Sequence, residues 1–281
     1  MRISVSNIAW DVLEDEQVAS LLNKYAIDSI DIAPGKYFSD PINATSDDIL
    51  QVRNWWLNRG VEVAGMQALL FGTTGLNLFG SQDSQMAMLE HLESICRIAS
   101  GLGATKLAFG SPKNRDCSVL PDDQVLDIAV RFFRQLGDIA SLHGVEVCLE
   151  PNPSCYGANF MTNSEDTASI VAAVAHPAIR MQLDTGALAI NDENPGRVIE
   201  EYEAMIGHVH ASEPGLVTLG DGGVNHAAIA LQLSRLLPEK IVTIEMLSDK
   251  KEPNIEAIER ALGVAVCHYR VGSSGESEVR L

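Results

Sequence analysis

The 281-residue chain is short of cations, with 20 Lys and Arg against 38 Asp and Glu and a formal net charge of -18. That shortage argues against a nucleic-acid surface, which needs a basic face to replace counterions. Acidity of this kind serves solubility. Long apolar runs are missing too: none approaches the roughly 18–20 residues that span a bilayer. The opening MRISVSNIAWDVLEDE turns acidic too soon for the apolar region of a signal peptide, so a cytoplasmic protein is expected. Five cysteines, Cys96, Cys117, Cys148, Cys155 and Cys267, are scattered, odd in number and include no CxxC. Reduced thiols in a reducing compartment are the simplest account. No glycine-rich phosphate loop follows the first strand-like segment, whose continuation reads SNIAWDVLED. An open doubly wound sheet would carry one there.

What the chain does have is a regular alternation. Strand-like segments run over Arg2–Ala9, Asp28–Ala33, Val61–Leu69, Ala104–Gly110, Val145–Glu150, Ile179–Asp184, Ile206–Ala211 and Lys240–Met246. Each is short, apolar or β-branched, and bounded by polar or Gly/Pro punctuation. Amphipathic helical segments lie between and after them: Asp15–Tyr25, Asp47–Arg59, Asp83–Ser100, Asp122–Leu142, Ser164–Val174, Pro195–Met205, His226–Leu237 and Asn254–Tyr269. Start signals occur at Ser46 (SDD) and Asn163 (NSED), and stops at the glycines of LNRG, GLG and LHG. Eight strand–helix units without a composition break predict a single-domain (β/α)8 TIM barrel over residues 1–270. The Gly/Ser/Glu-rich stretch at 271–281 is expected to be a flexible tail.

In such a barrel, chemistry sits at the carboxyl ends of the strands. Four consecutive ends carry Glu150, Asp184, His210 and Glu245. Adjacent strands lie roughly 4.8 Å apart, so these ends can converge on one ion. A Glu/Asp/His/Glu set suits Mn2+, Mg2+ or Co2+, with Zn2+ also possible, and lacks the thiolates of a structural zinc site. A single acid at a strand end is more often a cap or loop anchor; four in successive units point to a shared site. Asp31 and Gln67 end earlier strands and could orient a substrate or cap a turn. His208, two residues before His210, is expected to pack outward. Trp10, Phe71, Tyr156 and His226 are ring candidates for a sugar face, against a bland reading as loop packing. Asn152 follows Glu150 as a polar contact. Lys113 and Arg115 could bind a small anion or be solvated loop charges.

In their order and spacing, VCLEPN, MQLDTG, HVHASE and VTIEM resemble the metal-ligand motifs of the xylose isomerase-like barrels. The resemblance is to the sugar (phosphate) isomerase/epimerase group, ketose 3-epimerases in particular, and covers Arg2 to about Tyr269. It implies metal binding by Glu150, Asp184, His210 and Glu245. It further implies that Glu150 and Glu245 act as the acid/base pair, removing a proton beside a carbonyl held by the ion and passing through an enediolate. The implied partner is a sugar or sugar derivative, with no nucleic acid or membrane; homo-oligomers are common in the group. Where ketose 3-epimerases carry a histidine and an arginine on substrate oxygens, this chain has Ala187 and Leu216. Glu213 replaces an acid often found after the ligand histidine and is a candidate to support the site. Three other readings stay open: an inosose dehydratase-like lyase, an AP endonuclease-like phosphodiesterase, and a barrel without catalysis.

Overall fold

The computed structural model describes residues 1–248 and 251–270. Eight strands occur in chain order: β1 Arg2–Ser6, β2 Ser29–Ile32, β3 Glu62–Met66, β4 Lys106–Phe109, β5 Glu146–Leu149, β6 Ile179–Asp184, β7 Ile206–Ser212 and β8 Ile241–Glu245. Each pairs in parallel with the next, and β8 returns to β1, so the sheet closes into a barrel. Burial on both faces explains the near-continuous apolar strands; every residue of β2 and of β7 is buried. The flexible tail expected over 271–281 lies outside the described residues.

The outer helices are α1 Asp15–Lys24, α2 Ser46–Leu57, α3 Gln82–Leu102, α4 Asp122–Leu142, α5 Ser164–Val174, α6 Thr185–Ile190, α7 Pro195–Tyr202, α8 His226–Leu236 and α9 Asn254–Tyr269. The sequence pattern anticipates eight of them. The addition is α6, too short to show a helical period. It starts because the Asp184 side chain accepts the Ala187 N–H, so an acid that ends a strand also caps a helix. At α2 the cap is Thr45 rather than Ser46: the Thr45 hydroxyl accepts the Asp48 N–H at 3.2 Å, and the Asp48 carboxylate accepts the Thr45 N–H at 3.0 Å. This reciprocal capping box displaces the expected start by one residue. The α3 stop is Gly103, left-handed at φ +90; a side chain there would be strained.

Between barrel and helices, aliphatic side chains form one continuous core. Inside the barrel, polar residues take the place of the branched aliphatics usual in this fold: Ser4, Asp31, His208 and Thr243 are buried and contact one another from β1, β2, β7 and β8. Above them, the carboxyl ends of the strands open to a cavity.

Near the start of the barrel, Trp56 is fully buried, edge-on to Trp10 at 6.4 Å and to Trp55 at 4.8 Å. Truncating so large a core side chain leaves a cavity that the surrounding barrel cannot fill. Trp56→Ala is expected to cost about 3–5 kcal/mol in chemical denaturation.

Candidate metal centre and substrate cavity

β5, β6, β7 and β8 bring Glu150, Asp184, His210 and Glu245 together at the carboxyl mouth of the barrel. Each offers one ligand atom, and these atoms all lie within 4.8 Å of one another. The imidazole is central: His210 Nδ1 is 3.2 Å from Glu245 Oε2 and 3.4 Å from Glu150 Oε1. Second partners fix the acids. The Gln67 amide donates to Glu245 Oε1 at 2.6 Å. The Asp184 carboxylate accepts the Ser212 hydroxyl and the Ala187 N–H, both at 2.6 Å. Asn152 Nδ2 donates to Glu150 Oε2 at 3.4 Å. A Cβ on Gly110 would fall 1.7 Å from Glu150 Oε2, so only glycine leaves room for that carboxylate.

Three buried or half-buried carboxylates against one imidazole leave negative charge uncompensated, which is costly away from water. Protonation registers the strain. Burial, then the charges of Glu245 and Glu150, push the Asp184 carboxyl well above the usual carboxylate range. Burial would lower the His210 imidazole, but Glu245, Asp31 and Glu150 together hold it well above its ordinary value. Glu245, which burial would raise, is instead pulled down chiefly by His210. A cation among these four groups would offset that negative charge. Glu150 Oε1 and both ring nitrogens of His210 are buried with no hydrogen-bond partner. Orphaned donor atoms and an oxygen-rich set with one imidazole fit a hard divalent metal ion.

Above the cluster opens a cavity of ≈ 700 Å³, lined by Glu150, Asp184, His210 and Glu245 together with Gln67, Asn152, Phe71 and Tyr156. Its walls are largely aliphatic and include Leu69, Leu70, Leu216 and Leu247, with Ala187 beside Asp184. Lys36 is the lone lysine or arginine among the described residues that line it. Its Nζ donates to the backbone carbonyls of Asn7 (2.6 Å) and Trp10.

Several expected contacts lie elsewhere. Trp10 is buried in the core, its indole N–H given to Asp15 at 2.7 Å. Arg115 is fully buried behind Glu150 and donates to the Glu150 carbonyl at 2.8 Å; burial pushes its guanidinium down to about 10. Lys113 is exposed on the neighbouring turn and does not line the cavity. Glu213 and His226 are buried together: the Glu213 carboxylate accepts the Gly220 and Val224 N–H groups at 2.8 and 3.0 Å and lies 3.1 Å from His226 Nε2. His226 Nδ1 is also 2.7 Å from the Tyr269 hydroxyl. The two brace the loop 217–225 ahead of α8, which carries Gly220, Gly222 and Gly223, rather than meet a ligand, because a buried carboxylate takes the N–H groups a tight turn leaves unpaired. His208 also departs from expectation. Residues two apart in a strand share a face, so it points inward with His210 and meets Asp31 at 2.6 Å. The sequence marks no role for Ser212, although it lies in HVHASE, or for Gly110; both act through contacts made only in the fold.

Two predictions follow from these contacts. Gly110→Ala displaces the Glu150 carboxylate and should weaken divalent-metal binding on the order of 10–100-fold in a calorimetric titration. Burial lowers the His226 imidazole below its ordinary value. The unfolded chain therefore takes up a proton as pH falls through about 6.5 while the folded chain resists, and stability is lost on that side. Asp184 and His210, whose proton affinities the fold raises, act in the opposite sense as pH falls, so the His226 contribution is read as a difference: the stability of the parent minus that of His226→Gln should fall between about pH 7 and pH 5 in denaturant titrations.

Among curated proteins, none matches the chain in sequence. Solved structures do resemble it. L-ribulose 3-epimerase superposes with a TM-score of 0.80 at 17% identity, over 96% of this chain and 94% of that one. D-psicose 3-epimerase from Clostridium cellulolyticum H10 gives 0.78 at 17% identity, over 96% and 98%. A probable 3-DHS dehydratase from Bacillus anthracis gives 0.74 at 13% identity, over 95% and 99%. At such identities the likeness is one of fold. The sequence model of one family, however, matches residues 20–265. The chain belongs to the xylose isomerase-like TIM barrel family.

Proposed function

We propose that the protein is a divalent-metal-dependent isomerase or epimerase of an uncharged sugar or sugar derivative. The observation that carries this is the pair of carboxylates, Glu150 and Glu245, 3.4 and 3.2 Å from His210 Nδ1 and both lining one cavity. Glu150, Asp184, His210 and Glu245 would hold the ion, with Mn2+, Mg2+ or Co2+ best suited to the oxygen-rich set and Zn2+ compatible with it. Once bound, the ion supplies Lewis acidity to the substrate carbonyl and lowers the cost of ionising the adjacent C–H.

The proton transfers belong to the chain. One of the two glutamates removes the proton from carbon, and the C–H electron pair moves toward the carbonyl oxygen, giving an enediolate. The other, entering protonated, returns a proton to the opposite face, so the two end the cycle with their protonation states exchanged. Gln67 holds Glu245 by one oxygen and leaves the other toward His210; Asn152 does the corresponding work at Glu150. Asp184, with both oxygens already engaged by Ser212 and Ala187, is suited to ligation alone.

The walls speak to substrate charge. Lys113 and Arg115 do not reach the cavity, and burial lowers the Lys36 ammonium while its protons are spent on backbone carbonyls. Among the described residues that line the cavity no other lysine or arginine stands ready to pair with a phosphate, and the three carboxylates outweigh one divalent ion, which favours a neutral substrate. The same initial proton removal would also begin an elimination of water, and the identity of the product separates the two.

In D2O, with Mn2+ and a panel of ketoses, the expected result is deuterium at a carbon whose configuration inverts. An unsaturated or deoxy product would instead support the lyase. Phosphate esters should be turned over roughly tenfold or more less efficiently than the free sugars, because like charges oppose binding. Glu150→Gln should lower kcat about 10²–10⁴-fold; unchanged turnover would remove Glu150 from the proton transfer.

A further inference from the structure

We propose that Asp31 and His208, buried inside the barrel below the cavity, act as a positioning pair that fixes which nitrogen of His210 faces the metal-ligand carboxylates. This rests on the reading that Glu150, Asp184, His210 and Glu245 hold a cation. The two nitrogens of His210 face opposite ways. Nδ1 lies 3.2 and 3.4 Å from Glu245 and Glu150, and Nε2 lies 3.8 Å from Asp31 Oδ2, a charge contact beyond hydrogen-bond length that makes Asp31 the nearest acid to an otherwise unpartnered nitrogen. That same Oδ2 meets His208 Nε2 at 2.6 Å, while Oδ1 accepts the Ser4 hydroxyl at 3.4 Å. Thr243 Oγ1 approaches His208 Nε2 at 3.4 Å from the other side. The His208 and His210 rings sit edge to face, 5.2 Å apart. Asp31 and His208 are almost wholly excluded from solvent, at 0% and 2% exposure, so neither is free to swing.

The barrel makes room for this arrangement. A Cβ on Gly65, the β3 partner of Asp31, would lie 2.7 Å from the Asp31 carboxylate, so a side chain there would force the acid out of place. Asp31 comes from β2 and the two histidines from β7, which are not neighbours in the sheet. The contact therefore crosses the lumen and is reached only once the barrel has closed. A carboxylate behind a ligand histidine orients its ring and keeps the proton on the nitrogen turned away from the metal. Here the carboxylate is itself anchored by a second imidazole, and a flipped His210 ring would lose the Asp31 charge and turn its bare nitrogen toward it.

The experiment is Co2+ binding to the full chain, read by calorimetry and by the visible absorption of the cobalt protein. Circular dichroism and the melting temperature of the metal-free form are measured alongside. Asp31→Asn keeps the shape and removes the charge; it should weaken Co2+ binding about 10–100-fold and alter the cobalt spectrum. His208→Gln retains a donor for Asp31 and should weaken binding less than Asp31→Asn does. A purely architectural role would lower the melting temperature while leaving affinity and spectrum unchanged. Asp31→Asn binding within about threefold of the parent, well inside that range, overturns the proposal. Should Asp31→Asn fail to fold, His208→Phe decides: binding weakened about tenfold or more supports the pair, and unchanged binding overturns it. If the unsubstituted protein binds no Co2+, the cation reading itself fails, a result distinct from failure of the positioning pair.

Discussion

Crowded negative charge at the carboxyl mouth of the barrel is the constraint around which the site is arranged. Glu150, Asp184 and Glu245 meet a single imidazole within a few ångströms, largely out of water. Coulomb repulsion at such separations is large once solvent is excluded, and the raised Asp184 and His210 affinities for protons are its local signature. Much of the surrounding architecture limits this cost. Ser212 and the start of α6 hold Asp184, Gln67 holds Glu245, and a glycine at 110 leaves space for Glu150. These contacts orient the acids without neutralising them, which is what a site intended for a cation requires.

The remaining polar interior follows from the same demand. A barrel filled with branched aliphatics would leave the inward nitrogen of His210 facing hydrocarbon. Instead Ser4, Asp31, His208 and Thr243 continue the polar column downward from the cluster. Such buried ionic groups are poor sources of net stability, so the aliphatic shell between sheet and helices carries the folding free energy. The site and the core are separated by the alternation of each strand, with one face serving chemistry and the other packing.

How far the sequence revealed this depends on how local each signal is. Strand and helix positions follow from periodicity, and all eight strands and eight of the nine α-helices of the described residues are legible that way. The four strand-end ligand candidates stand out because each interrupts an apolar run at the same place in its unit. Residues whose role depends on a long-range contact do not stand out. Gly110 belongs to no motif, Ser212 lies inside HVHASE without any sign there of its bond to Asp184, and the Asp31–His208 pair joins positions 177 apart in sequence. Trp10, Glu213 and His226 misled for the complementary reason: polar or aromatic residues beside the mouth can turn into the core or brace a loop, and sequence position does not give that direction. His208 was open to the period-two rule, which places it on the same face as His210.

The decisive point is where a cation binds. Crystals of the full chain grown with Mn2+ and examined by anomalous scattering at the manganese edge would locate it directly. One peak per chain, bounded by Glu150, Asp184, Glu245 and His210 Nδ1, is the predicted result. No peak among these residues, or a peak on the Nε2 side of His210 beside Asp31, would contradict it.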